Sequence, residues 1–250
     1  MAGYAREFYE EQRREQRAYA ADVVLSLLLA HSPPIRSAID LGCGVGVWLS
    51  VLREKGVEEI QGVDGEWVDR DLLLIPEHCF RQVDLGRETV EPPQETRYDL
   101  AISLEVAEHL PPERAPGFVA MLTDLADRVL FSAALPRQGG QNHLNEQWPS
   151  YWADLFAARG YAAHDFIRPA IWNDDRIPVW YRQNIIFFSR EDSFSGPESG
   201  PGRTGALPLD VVHPDHYLGK LNAKTSVRTS FRVFLGALKD YIRRKIGSGS

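Results

Sequence analysis

Residues Ile39 to Trp48 read Ile-Asp-Leu-Gly-Cys-Gly-Val-Gly-Val-Trp: an apolar stretch ending in an acid, glycines at 42, 44 and 46, then the start of an apolar helix. Glycine is required where a backbone must turn tightly or lie close to a ligand. A second acid, Asp64, stands 24 residues after Asp40, at the end of the next expected strand. A glycine turn after the first strand and an acid after the second is the layout by which an α/β domain holds a nucleoside, with backbone beneath the ligand and a carboxylate for the ribose hydroxyls.

The rest of the chain supports that class. Strands are expected at 37–41, 59–63, 79–83, 98–104, 128–135, 161–166 and 184–189. The fourth is a nearly continuous apolar run, as in strands buried on both faces of a parallel sheet. Helices are expected at 4–30, from the glycine turn to about 55, and at 67–74, 113–127 and 151–159. Alternation of this kind predicts an α/β, Rossmann-like, doubly wound and mainly parallel seven-stranded sheet with helices on both faces. Residues 1–190 form this domain, with the N-terminal helix as a candidate lid through Tyr4, Phe8 and Tyr9. Residues 191–216, rich in Gly, Ser and Pro, read as a flexible linker, and 217–250 as a basic amphipathic helix with Phe231, Phe234, Leu235, Leu238, Tyr241, Ile242 and Ile246 at helical spacing.

Charge narrows the partners. The net charge is −7, but Tyr217 to Ser250 holds eight basic residues and one acid, so the remainder is strongly acidic. An acidic body argues against nucleic acid, which is held through clustered Lys and Arg. No run of about 18 apolar residues is present, so no membrane span is expected. The first residues carry acids and arginines rather than a basic-then-apolar signal, so no export is expected, and Cys43 and Cys79 are expected to be reduced thiols in a cytoplasmic protein. The basic helix has three roles open to it: docking on the acidic body, pairing two copies, or meeting an anionic membrane face.

From residue 37 to 190 the pattern resembles class I S-adenosylmethionine-dependent methyltransferases. The resemblance is carried by Asp40-Leu-Gly-Cys-Gly-Val-Gly46, Gly62-Val-Asp64, Val83-Asp84-Leu85, and Tyr98-Asp-Leu100 leading to Ser103-Leu-Glu-Val106. It implies that Gly42, Cys43, Gly44 and Gly46 pass beneath the methionine part of the donor with Asp40 near its ammonium group. It implies that Asp64 accepts from the ribose hydroxyls, that Val83, Asp84 and Leu85 frame the adenine, and that Leu104 and Glu105 close the pocket below the sulfonium.

A second cluster, Glu105-Val-Ala-Glu108-His109, puts two carboxylates and an imidazole at i, i+3 and i+4, which on a helix share a face. His143 follows the fifth strand. A later histidine after E-x-x-E-H resembles two metal-using methyltransferase groups, one acting on phenols in ubiquinone synthesis, the other on the terminal ribose of small RNAs. That resemblance implies a divalent cation, Mg²⁺ first, held by Glu105, Glu108, His109 and His143. The same string also occurs in methyltransferases where these residues only shape the pocket. His143 has a second reading as general base, since a neutral imidazole takes a hydroxyl proton near pH 7; His143 and Glu105 are the candidate catalytic residues.

Trp148, Tyr151, Trp152, Tyr161, Trp172, Trp180 and Tyr181, interleaved with polar residues, either fill the core or offer faces to a sugar. The string Asn142-His-Leu-Asn-Glu-Gln-Trp-Pro-Ser-Tyr-Trp152 is similar to bacterial methyltransferases of glycans and natural products, including methylated mycobacterial polysaccharides. The expected reaction is therefore O-methylation of a sugar or small-glycan hydroxyl. Phenols or polyketide-like metabolites are the alternative acceptors, and a silent cofactor-binding interaction module is the alternative class.

Overall fold

Apolar residues in the strands alternate between two cores, and that alternation fixes the layers. The computed structural model describes residues 15–91, 97–190, 194 and 208–222. Its elements are α1 (Glu15–His31), β1 (Ser37–Leu41), α2 (Val47–Glu54), β2 (Glu59–Asp64), β3 (Phe80–Gln82), β4 (Leu100–Leu104), α3 (Ala115–Leu125), β5 (Arg128–Ser132), α4 (Pro149–Ala157), β6 (Tyr161–His164), α5 (Ile167–Ile171), α6 (Val179–Asn184), β7 (Ile186–Arg190) and α7 (Pro214–Asn222). Leu100, Ile102 and Leu130 face one core with Val24 and Leu28 of α1 and Leu49 and Leu52 of α2. Their neighbours Ala101, Val129 and Phe131 face the other, with Phe118 and Leu122 of α3 and Trp152 and Phe156 of α4. This period of two, with both faces covered, is what a doubly wound sheet demands. Each Leu, Ile, Val and Phe side chain among them contributes about 1.5–3 kcal/mol by leaving water.

The sheet order is β3-β2-β1-β4-β5-β7-β6. β1 pairs in parallel with β2 and β4, and β4 with β5. β7 runs antiparallel to both β5 and β6. All five residues of β4 are buried, as its apolar run predicts. The fold class read from the sequence therefore holds.

Several local expectations do not. Residues 67–74 contain only one short turn at Arg70–Leu72, capped by Asp69 accepting from the Asp71 N–H at 3.1 Å. The Leu74 N–H instead donates to the Val45 carbonyl at 2.8 Å, and Leu72 and Ile75 enter the core. Tertiary packing on the glycine turn overrides helix propensity here, and Pro76 stops any continuation. Helices α5 and α6 are short and escape a periodicity reading. Asn184 ends α6 rather than opening the last strand. The fifth and sixth strands stop at Ser132 and His164.

Of the expected long N-terminal helix, Glu15–His31 is helical; Tyr4, Phe8 and Tyr9 lie outside the described residues. So do 191–207 apart from Phe194, and all of 223–250, including the apolar positions from Phe231 to Ile246. The linker's two described parts are anchored. Phe194 is buried and stacks on Phe166, with ring centroids 5.7 Å apart and planes 18° apart. His213 is buried, and its N–H donates to Gln183 Oε1 at 2.8 Å. Residues 214–250 form a second compact unit in which α7 is the described helix. Among the described residues no helix is long and apolar enough to cross a membrane.

Candidate functional site

β1 is where the sheet changes direction, with β2 on one side and β4 on the other. Chains leaving such neighbouring strands go to opposite faces, and a crevice opens beyond their C-terminal ends. The residues singled out in the sequence sit at those ends.

The glycine turn follows β1. The Gly42 and Cys43 N–H groups both donate to the Val63 carbonyl, at 2.7 and 3.2 Å, which ties the turn to the end of β2. Gly42 has φ 87°, and a Cβ there would lie 2.3 Å from Val106 Cγ2. Asp64 accepts from the Gly44 N–H and the Gly65 N–H, each at 2.7 Å. Burial raises its carboxyl, with those donors and the Trp67 side chain opposing. Asp40 is also buried, and its Oδ2 has no hydrogen-bond partner. Burial pushes the Asp40 carboxyl well above its ordinary value, and the charge of Asp64 adds to this. A buried, unsatisfied carboxylate is costly until a cation or donor meets it, which suits an ammonium or sulfonium ligand here.

Cys43 is buried beside Gly62 of β2. Its Sγ would be 2.8 Å from a Cβ on Gly62, and burial, then Asp64 and Asp40, push its thiol up. Val83 and Leu85 are buried in the second core beyond β3. Asp84 turns inward on its own loop: its Oδ1 accepts from the Gly86 N–H at 2.9 Å and its Oδ2 lies 3.6 Å from Arg87 Nε.

The Glu105–His109 cluster is not a helix face. Glu105 takes φ 57°, and only Ala107–His109 forms a short turn. The Glu105 carboxylate accepts from Gln138 Nε2 at 2.9 Å and Asn184 Nδ2 at 3.0 Å. Burial raises its pKa against these donors. It lies outside the metal-compatible group, which consists of Glu108, His109 and His143, with one candidate ligand atom from each within 4.8 Å of the others.

Glu108 is fully buried and its Oε2 has no partner. Burial, then the charge of Glu105, pushes its carboxyl well above the usual range. His109 is lowered to about 4 by burial and then by His143, against hydrogen bonds to the backbone of Asn142 and Gln141. It is therefore a neutral ring at pH 7, the form that ligates. The two imidazole rings meet edge to face, with centroids 4.8 Å apart. An orphaned buried carboxylate beside two imidazoles fits a divalent cation. Its nitrogen-rich donor set favours Zn²⁺ or Fe²⁺ over the Mg²⁺ expected from an oxygen-rich one.

Sequence reasoning missed the groups that hold these residues. Glu146 is one of the polar residues interleaved with the aromatics, yet its Oε1 lies 2.9 Å from His143 Nδ1. Gln138 and Asn184, which grip Glu105, stand far from it in sequence, with nothing to flag them. The aromatic set divides. Trp152, Tyr161 and Tyr181 are core, whereas Trp148 is 40% exposed beside the loop that carries His143.

Comparisons with known proteins bear on the family and the fold. A family model described as a methyltransferase domain matches residues 9–168. No curated protein sequence matches the chain. Among solved structures, the chain is similar to magnesium protoporphyrin IX methyltransferase from Synechocystis PCC 6803 with bound SAH. The identity is 19%, over 76% of this chain and 90% of that one, with a TM-score of 0.50. It is also similar to Streptomyces venezuelae DesVI, at 12% identity over 74% and 96% of the two chains and a TM-score of 0.52. An O-methyltransferase family protein from Burkholderia thailandensis matches at 14% identity over 73% and 58%, with a TM-score of 0.50. At these identities the structural likeness speaks to the fold, and the family model carries the assignment. With more than half of its length matched to that model, the chain belongs to the methyltransferase domain family and is an S-adenosylmethionine-dependent, methyl-transferring enzyme.

Proposed function

We propose that the enzyme transfers the methyl group of S-adenosylmethionine to a hydroxyl of a sugar or small glycan. The observation that carries this reading is the grouping of Glu108, His109 and His143 within 4.8 Å, in segments that, like the glycine turn, follow the C-terminal ends of sheet strands. Asp40 and Asp64, with Gly42, Gly44 and Gly46, are the proposed donor-side contacts. Cys43 and Leu104 pack behind them, and Val83, Asp84 and Leu85 border the base. The acceptor oxygen attacks the methyl carbon, the carbon–sulfur bond breaks, and S-adenosylhomocysteine leaves. The hydroxyl proton passes to the free nitrogen of His143. In the alternative form Glu108, His109 and His143 would hold a divalent cation, which when bound lowers the pKa of an acceptor hydroxyl; the His143 lone pair then belongs to the cation and the proton leaves to solvent. Glu105, gripped by two amides, serves as a fixed acceptor of hydrogen bonds at the mouth of β4.

Support for a sugar comes from what flanks His143. Leu144 is 59% exposed and Trp148 40% exposed, in a loop that also presents Asn142 and Gln147. Apolar faces between amides suit a ring whose C–H face packs while its hydroxyls pair. Release of S-adenosylhomocysteine measured with a mannoside, a catechol and an RNA 3′ end tests the choice. The mannoside is expected to be turned over at least tenfold faster than the other two. Turnover of the catechol alone would replace the sugar reading with the phenolic one.

A further inference from the structure

Between Leu135 and Trp148 the chain makes a loop whose carboxylate, Glu146, is bound from three sides. Its Oε2 accepts from the Arg137 N–H at 2.6 Å, and its Oε1 from the Gly139 N–H at 2.9 Å. The Oε1 also lies 2.9 Å from His143 Nδ1. Two backbone donors therefore fix the carboxylate before the imidazole reaches it. His143 and Glu146 are 12% and 20% exposed, so water competes weakly for this contact. With two backbone N–H groups already donating to it, the carboxylate is held as an acceptor, so the nitrogen facing it carries the proton.

That settles which His143 nitrogen stays free. With the proton on Nδ1, the lone pair is on Nε2. Nε2 in turn points where residue 140 has no side chain: a Cβ on Gly140 would lie 2.1 Å from Nε2 and 2.5 Å from Cε1. Any other residue there would push the ring away or cover its basic edge. The same ring stands edge to face with His109, 4.8 Å between centroids.

We infer that Glu146 is a positioning residue for methyl transfer: it holds His143 as the Nδ1–H tautomer, with Gly140 leaving room at Nε2. The inference rests on the proposed role of His143. It adds that a carboxylate outside the glycine turn and the Glu105–His109 cluster governs that role. A carboxylate behind a histidine fixes its tautomer and ring orientation whether the free nitrogen takes a proton or binds a metal.

The test is the tautomer of His143, read by long-range ¹H–¹⁵N NMR on the full chain labelled at histidine and assigned with His143→Gln. The native protein is expected to show a single Nδ1–H form. Glu146→Leu is expected to shift His143 toward the Nε2–H form and to cut turnover about 10–100-fold without changing affinity for S-adenosylmethionine. Glu146→Gln, which keeps an acceptor oxygen at the same reach, is expected to recover part of both. A native Nε2–H form, or a tautomer unchanged in Glu146→Leu while the variant melts like the native protein, would overturn the inference. The NMR measurement uses neither methyl donor nor acceptor, so it stands or falls separately from the sugar reading.

Discussion

Replacing His143 with alanine is expected to lower turnover by about two to four orders of magnitude while affinity for S-adenosylmethionine stays nearly unchanged. The division follows from the geometry. His143 meets His109, Glu146 and the space beside Gly140. The proposed donor contacts, Asp40, Asp64 and the glycine turn, lie at the ends of β1 and β2. Removing the imidazole takes away the proposed proton acceptor, or in the alternative reading one proposed metal ligand, but no proposed donor contact. Initial rates of S-adenosylhomocysteine release, set beside calorimetric binding of the donor, check this. A variant that keeps near-native turnover would remove His143 from the chemistry in both of its roles.

Replacing Gly42 with alanine is expected to cost about 2–5 kcal/mol of folding stability. Placing a side chain at φ 87° costs about 1–2 kcal/mol. The new Cβ would also lie 2.3 Å from Val106 Cγ2 and 2.9 Å from Cγ1, and overpacking of this kind adds about 1–3 kcal/mol. Gly56 supplies the control. Its φ is 92°, yet a Cβ there would meet nothing within 4 Å, so Gly56→Ala carries only the backbone cost, about 1–2 kcal/mol. Urea unfolding of the two variants separates strain from crowding. Equal losses would mean that Val106 yields freely and that the turn is less tightly built than described.

The fold was legible because its strongest signals are local. The apolar run of β4, the glycine turn and the acids ending β1 and β2 each lie within a few residues. The alternation of strands and helices then leaves few sheet orders to choose from. Boundaries that depend on distant partners were not legible. Residues 67–74 have a helical composition, but the bond from Leu74 to Val45 and the burial of Leu72 and Ile75 hold them against the glycine turn. The site divides in the same way. Glu108, His109 and His143 were named from the sequence and do converge. Glu105 was named with them on the premise of a shared helix face, and the left-handed backbone at Glu105 breaks that premise. Its partners Gln138 and Asn184 are 33 and 79 residues away, a separation that no spacing rule reaches. Glu146 is only three residues from His143, but a charged residue in a polar loop looks like solvated surface until its backbone donors are seen.

Calorimetric titration of S-adenosylmethionine into the native chain and into Asp64→Ala tests most directly whether this sheet edge is the donor site. Asp64 is the carboxylate that joins the turn to the end of β2, through the N–H groups of Gly44 and Gly65. Hydrogen bonds to a charged group are worth about 1.5–3 kcal/mol each. The native chain is expected to bind one equivalent, competed by S-adenosylhomocysteine. Asp64→Ala is expected to bind at least about tenfold and up to more than 100-fold more weakly. Native-like binding by a folded Asp64→Ala variant, or no binding by the native chain, would contradict the assignment of the donor to the glycine turn.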